Sequence, residues 1–312
     1  MKIVYFGSGA FGLPTIERLA GEHELVGVVT QPDRPAGRKR RLTPTPIGRW
    51  VSEQAPALAI FKPQNVNEPA MVEQIRSLAT DTWVVIAFGQ KLSPRLLADR
   101  FAINLHASLL PRWRGAAPIN HAILAGDAQT GNSVITLADR MDAGLVLGQS
   151  RRAIEPQWTA GELHDLLAAD GPELVMDVLQ KMTCGDLKPI EQDESAVTIA
   201  GKLSKADGWV DFSQTAEQCR RRIHGLTPWP GVTVSINHEP VKILRTQTID
   251  ASSEQEPGDF VSARQGVVQC AASSQLQLLE VQPAGKRAMA WSDYVRGHDL
   301  TDGDRIEGRT SC

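Results

Sequence analysis

The sequence predicts an α/β protein in two parts: a mostly parallel sheet covered by helices, then a small antiparallel barrel. Three observations lead there. Strand-like and helix-like runs alternate through the first half of the chain. The strand-like runs there are almost wholly apolar, as parallel strands buried on both faces are. After Asp207 the pattern changes to short period-two runs separated by turn residues.

Lys2–Phe6 reads as the first strand, and Phe11–Ala20 as the following helix, with Phe11, Ile16 and Leu19 on one face. Leu25–Thr30 is the second strand. Asn67–Leu78 has helical spacing, Thr82–Ala87 is a third strand, and Ala102–Leu105 is a fourth. Pro118–Leu124 opens another helix, and Val134–Leu137 with Leu145–Gln149 is expected to form a strand pair. Such alternation places a ligand at the carboxyl ends of the strands. Thr159-Ala160-Gly161-Glu162 is a capping box. The stripe that follows it, Leu163, Leu166, Leu167, Leu174, Val175, Val178 and Met182, is read as core packing. Gly171-Pro172 interrupts the stripe, so a kink or two short helices is expected.

From Cys184 to about Asp207 the chain is polar and broken. The division drawn is a catalytic domain over 1–190, a linker over 191–206 and a second domain over 207–312. In the second domain one helix, Ala216–His224, precedes the runs Val232–Ile236, Val241–Gln247, Gly258–Val261, Val267–Cys270 and Leu276–Val281. That pattern suits a small β-barrel of oligonucleotide-binding (OB-like) type.

Composition excludes several classes. With 312 residues, 42 % hydrophobic and 22 % charged, the chain has the make-up of a globular protein. No apolar run approaches the roughly 20 residues that span a bilayer, and Met1–Gly7 lacks the pattern of a signal peptide. No membrane association is expected. Cys184, Cys219, Cys270 and Cys312 are scattered, with no Cys-x-x-Cys and no zinc-like His spacing. They are expected to be reduced thiols of a cytoplasmic protein without a metal. A net charge of −3 argues against a uniformly basic nucleic-acid binder but leaves room for a local basic patch.

Gly7-Ser8-Gly9-Ala10-Phe11-Gly12 is a literal G-x-G-x-x-G that follows a strand and opens a helix, as in Rossmann-like dinucleotide sites, with Asp33 further on. An NAD(P)-dependent oxidoreductase is therefore a competing reading. Against it, Asp33 lies past the strand end, after Gln31-Pro32, and nothing in the second domain suggests a hydride acceptor site. Such glycines also serve simply to let another group approach closely.

The most informative stretch is Asn104-Leu105-His106-Ala107-Ser108-Leu109-Leu110-Pro111. Asn104 and His106 are two apart, so on an extended backbone they point to one side. An amide donor beside an imidazole can grip a carbonyl oxygen and manage a proton. Asp142 follows later, in Arg140-Met141-Asp142-Ala143-Gly144, a turn beside a strand. Asn-x-His alone is an ordinary strand-end pair, and Asp before glycine is usually a turn former; their joint occurrence carries the signal.

This combination resembles the folate-dependent formyltransferases. The resemblance extends from Ile3 to about His298, and is strongest over Gln31–Arg41, Val84–Gly89 and Asn104–Pro118. Ala107 departs from it, standing where glycine is common. The resemblance implies an N-terminal Rossmann-like formyltransferase domain with 10-formyltetrahydrofolate as co-substrate. It implies Asn104, His106 and Asp142 as catalytic residues, and no covalent intermediate. It assigns Ile86, Ala87, Phe88, Gly89, Ser108, Leu109, Leu110 and Pro111 to folate, and Ser8 and Phe11 to the acceptor amine. For Phe88, core packing is an equally good reading of the residue itself.

The segment Gln31–Pro46 decides the acceptor. Arg34, Arg38, Lys39, Arg40 and Arg41 lie within eight residues of one another, flanked by prolines. Charge runs are usually solvated surface. A long loop leaving the carboxyl end of a strand is better placed as a phosphate-binding arm that orders with its partner. This arm, Arg220-Arg221-Arg222, Pro228-Trp229-Pro230-Gly231 and Lys286-Arg287-Ala288-Met289 all resemble the branch of the family acting on methionyl-tRNA. The resemblance therefore implies initiator methionyl-tRNA as partner, with no obligate protein partner. A branch acting on a small amine, such as an amino sugar nucleotide, is the alternative. Lys39-Arg40-Arg41 lacks the glycine common after the loop arginine, which leaves the contacts of Arg40 and Arg41 open.

Overall fold

The structure, a computed structural model, describes residues 1–37, 40–251, 253–271 and 274–308. Arg38, Lys39 and Cys312 thus lie outside the described residues. The chain forms two compact units. The first gathers Met1–Gly115, Gly131–Arg152 and His164–Ile199; the second gathers Ala116–Thr130, Ala153–Leu163 and Ala200–Cys312. The segment 191–206, read from sequence as a linker, divides between them at Ile199.

The first unit holds a seven-stranded sheet. Its order is Val146–Ala153, Gln129–Thr136, Ala102–His106, Thr82–Ile86, Lys2–Gly7, Glu24–Val29, Ile60–Phe61. The five strands from Ala102–His106 to Ile60–Phe61 pair in parallel, and Gln129–Thr136 joins Ala102–His106 antiparallel. Burial on both faces explains their apolar composition: Ile3, Val4, Tyr5 and Phe6 are all fully buried. Phe6 packs against Trp83 and, edge-on, against Phe88.

Register matters most at the carboxyl ends. Gly7 lies beside Ile86, Val85 beside Asn104, and His106 beside Ser133. Three parallel strands therefore deliver the turns at Ser8, Ala87 and Ala107 to one edge of the sheet.

Several expectations need correction in detail. The helix after the first strand begins at Leu13, because Ala10–Gly12 forms a separate 3-10 turn. The stripe after Thr159 is one helix, Ala160–Cys184, with Pro172 inside it, so of the two alternatives, a kink or two short helices, the second is excluded. Gly171 allows close packing there: a Cβ on it would stand 2.8 Å from Leu105 Cδ2. The basic segment is a short hairpin, Arg34–Ala36 paired with Arg41–Thr43, and not a loop without structure of its own.

The second unit contains an antiparallel, barrel-like sheet ordered Phe260–Ser262, Val267–Gln269, Gln275–Pro283, Glu239–Ile249, Val232–Ile236, Ile306–Glu307. Met289–Ala290 adds to Gln275–Pro283. Helix Ala216–Leu226, started by a Thr215–Gln218 capping box, closes the core with Cys219, Ile223 and Leu226 against Val232, Ile243, Leu278 and Val281.

Candidate active site

The strand Ala102–His106 buries Ile103 and Leu105 and leaves Asn104 half-buried, so alternation sets Asn104 and His106 apart from the packed face. The Asn104 amide has no hydrogen-bond partner among the described residues. Half-buried and unpaired, it is available to a ligand.

His106 is nearly buried, and its Nε2 lies 2.9 Å from the Trp113 carbonyl oxygen. A carbonyl only accepts, so the hydrogen sits on Nε2, and Nδ1 becomes the atom free to exchange a proton. Nδ1 faces Asp142 Oδ2 at 3.7 Å. That separation is longer than a hydrogen bond. The same Oδ2 accepts from the Gly115 N–H at 2.9 Å. The Trp113 carbonyl orients the ring, and the Gly115 N–H orients the carboxylate.

The Asp142 turn is shaped by close approach. Asp142 has φ +54. A Cβ on Gly144 would stand 1.7 Å from the Thr136 carbonyl oxygen, so only glycine lets the chain lie against that strand. Thr136 and Leu145 exchange hydrogen bonds, Thr136 N–H to Leu145 O and Leu145 N–H to Thr136 Oγ1, both at 2.9 Å. Met141 and Leu145, 67 % and 38 % exposed, flank the aspartate with apolar surface. Ala87 and Trp113 also hold positive φ, at +47 and +65. Neither is a residue that adopts this region readily, so backbone strain gathers around the imidazole and the adjoining strand end.

Of the residues assigned to folate, Ala87 and Gly89 are exposed, and Leu109 and Pro111 half-buried. Ile86, Phe88, Ser108 and Leu110 are buried. Phe88 belongs to the core beneath the loop. The Ser108 hydroxyl donates to Arg112 O at 2.7 Å, which makes it a lock of the turn. Leu110 packs with Ile135 and Val146, its N–H donating to Ser133 Oγ.

Ser8 is likewise engaged. Its hydroxyl donates to Phe88 O and accepts from Gln31 N–H, both at 3.0 Å, tying together the first turn, the second strand end and the 86–89 loop. Phe11 is buried edge-on against His164. The glycine motif has a packing explanation. A Cβ on Gly7 or Gly12 would fall 2.4 Å or 2.0 Å from buried Tyr5 ring and hydroxyl atoms, and Tyr5 donates its hydroxyl to Gly12 O. Asp33 is held by Lys62 at 2.6 Å.

The cations separate into two sets. Arg34, Arg40 and Arg41 are exposed on the hairpin, beside Leu42 at 72 % exposure. The helix arginines are occupied. Arg220 is buried, donating two hydrogen bonds to the Glu217 carboxylate and another to Pro156 O. Arg221 also binds Glu217, and Arg222 stacks on Trp209 while donating to Trp209 O and Asp207 O. These bonds all lie within the second unit. Glu217, three and four residues before Arg220 and Arg221, was a legible sign of this.

Sequence reasoning missed Trp113, Gly115 and Gln192. Backbone groups serve at the first two, and no side-chain pattern announces them. Among the described residues no group of three or more His, Cys, Asp or Glu is placed to hold a metal ion, and no helix is long and apolar enough to cross a membrane.

The model of the formyl transferase family matches residues 1–179, and that of its C-terminal domain matches residues 202–299. The methionyl-tRNA formyltransferase of Methylococcus capsulatus is 38 % identical over 96 % of this chain and 98 % of its own. That of Symbiobacterium thermophilum is 39 % identical over 98 % of this chain and 95 % of its own. Among solved structures, the N-formyltransferase of Helicobacter canadensis in complex with folinic acid and dTDP-3-aminofucose superposes with a TM-score of 0.69. It has 13 % identity and covers 91 % of this chain and 99 % of its own. HypX of Aquifex aeolicus in complex with tetrahydrofolic acid gives 0.63 at 15 % identity, covering 95 % of this chain and 47 % of its own. The sheet edge carrying Asn104, His106 and Asp142 therefore sits in a chain matched along nearly its whole length, and the protein belongs to the formyl transferase family.

Proposed function

We propose that this protein transfers the formyl group of 10-formyltetrahydrofolate to the α-amino group of methionine on initiator tRNA. The observation that carries the chemistry is the convergence of an unpaired amide, Asn104, with the His106 Nδ1 and Asp142 Oδ2 pair on one sheet edge. The near full-length similarity to methionyl-tRNA formyltransferases supports the acceptor.

The edge fits a folate. The exposed residues Ala87 and Gly89 and the apolar flank of Met141 and Leu145 suit a flat ring. The co-substrate supplies an activated formyl group on nitrogen. The chain's residues do the rest. Asn104 donates to the formyl oxygen as it gains charge in the tetrahedral state. The Nδ1 and Oδ2 atoms are too far apart to bond each other and close enough for one nitrogen or oxygen, seated beside the line joining them, to touch both. There Asp142 takes the proton that the attacking amine sheds, directly or through water. His106, as imidazolium, stabilises the oxyanion and returns a proton from Nδ1 to the departing nitrogen. One C–N bond forms, one breaks, and the proton count closes.

The exposed hairpin arginines, Arg34, Arg40 and Arg41, supply phosphate contacts for the acceptor stem, and Arg38 and Lys39 belong to the same cationic run. Such contacts favour a polynucleotide over a nucleotide sugar. A panel of amines given labelled 10-formyltetrahydrofolate tests this: methionyl-tRNA, glycinamide ribonucleotide and an amino sugar nucleotide. Label in methionyl-tRNA is expected; label in a small amine alone overturns the acceptor.

A further inference from the structure

We propose that Gln192 is a positioning residue of this active site, holding the Asp142 turn in register with the strand that orients His106. The inference rests on the reading of Asp142 and His106 given above.

The Gln192 amide makes three bonds. Its Nε2 donates to Asp142 O at 2.7 Å and to Gly144 O at 2.8 Å, and its Oε1 accepts from Arg114 Nε at 2.9 Å. Both hydrogens and the carbonyl are used, so the side chain is locked from each end. The two groups it joins are those that set the chemistry. Arg114 lies between Trp113, whose carbonyl binds His106 Nε2, and Gly115, whose N–H binds Asp142 Oδ2. Asp142 O and Gly144 O bracket the turn that carries the carboxylate. Gln192 therefore links the support of the imidazole to the support of the carboxylate, and the 3.7 Å between Nδ1 and Oδ2 depends on that link.

Neighbouring residues reinforce the brace. Glu194 bridges buried Arg114 and exposed Arg140, each at 2.9 Å. Thr198 accepts from Arg114 N–H through its carbonyl and from Trp113 N–H through its hydroxyl. Asp142 at φ +54 sits in a region disfavoured for most residues, and two carbonyls fixed by one amide oppose its relaxation.

Two variants separate positioning from mere folding. Gln192→Glu keeps the size and the acceptor for Arg114 but replaces both donors to the turn. Gln192→Met removes all three bonds without adding charge. Each should lower kcat by about 10-fold or more with KM for both substrates within about 3-fold, since a displacement near 1 Å can cost about 100-fold. Melting temperature is measured alongside. The decisive step is a cycle with Asp142→Ala: in that background either Gln192 substitution should change kcat less than about 2-fold, because the carboxylate it positions is gone while Thr198 still holds Trp113 and Arg114. Near-normal kcat in both variants, or losses that multiply with Asp142→Ala, would overturn the proposal. Near-normal turnover of Asp142→Ala itself would instead overturn the reading of the site.

Discussion

Asp142 Oδ2 lies 3.7 Å from His106 Nδ1 while accepting a 2.9 Å bond from the Gly115 amide. The carboxylate is thus held by the backbone and presented to the imidazole without being consumed by it. At this separation a third atom, the amine nitrogen or a water, can bond both from beside the line that joins them.

Asn104→Ala should reduce kcat by about 100-fold to 1,000-fold, the range seen when one donor to a developing oxyanion is removed. Folate affinity should change little, because the bond strengthens chiefly as charge develops. Steady-state kinetics with a parallel calorimetric titration of a folate analogue checks both. An equal loss in binding and turnover would make Asn104 a ground-state contact.

The glycines of the first turn serve packing against Tyr5. Gly12→Ala places a methyl 2.0 Å from the Tyr5 hydroxyl and should destabilise the fold by about 1–3 kcal/mol. Adding Tyr5→Phe should recover part of that loss by removing the clashing oxygen. Urea titration of the two single variants and the double variant measures the coupling; strict additivity would remove Tyr5 from the explanation.

Replacing Arg34, Arg40 and Arg41 by alanine should raise KM for methionyl-tRNA and flatten its salt dependence. Each lost phosphate contact reduces the log–log slope by about 0.9 on duplex nucleic acid. Folate binding should hold. Unchanged kinetics from low to moderate salt would return the hairpin to ordinary solvated surface.

Burial lowers the pKa of His224 to about 4 from its ordinary 6.5, helped by the nearby Arg220 charge. The ring is neutral in the fold, taking the Thr246 N–H at Nε2 and facing Pro156 O through Nδ1. The unfolded chain binds this proton first as pH falls. His224 therefore stabilises the fold fully above about pH 6.5 and loses that contribution on the way down to pH 4. The change is on the order of 3 kcal/mol. Denaturant titrations at pH 7.5 and 4.5 should show it, and His224→Gln should shrink the difference. An equal pH dependence in that variant would assign the effect to other groups.

The parallel strands were legible because burial on both faces leaves an apolar run that charge cannot interrupt, as at Ile3–Phe6 and Thr82–Ile86. The basic hairpin was not. Its pairing of Arg34–Ala36 with Arg41–Thr43 rests on backbone bonds between exposed residues, where neither alternation nor β propensity leaves a mark. The helix Pro46–Gln54 was announced by Thr45 as cap and Pro46 at its first position, a signal passed over inside a proline-rich stretch.

At the site, Asn104, His106 and Asp142 could be read from residue type and order. What holds them could not. Trp113 and Gly115 act through main-chain atoms, and Gln192 is a single amide in a polar stretch that gains meaning only when the fold brings it to the Asp142 turn. The same limit hid the setting of Arg220, whose charge is visible in sequence and whose burial against Glu217 and Pro156 is not.

The central claim is that the His106 and Asp142 pair carries the proton traffic of formyl transfer to methionyl-tRNA. Single-turnover transfer of labelled formyl, with enzyme in excess over initiator methionyl-tRNA, isolates that step from product release. Wild-type enzyme should label the tRNA, while His106→Ala and Asp142→Asn, folded and still binding folate, should each be slower by at least about 100-fold. A folded variant of either kind that transfers formyl at close to the wild-type rate would contradict the account.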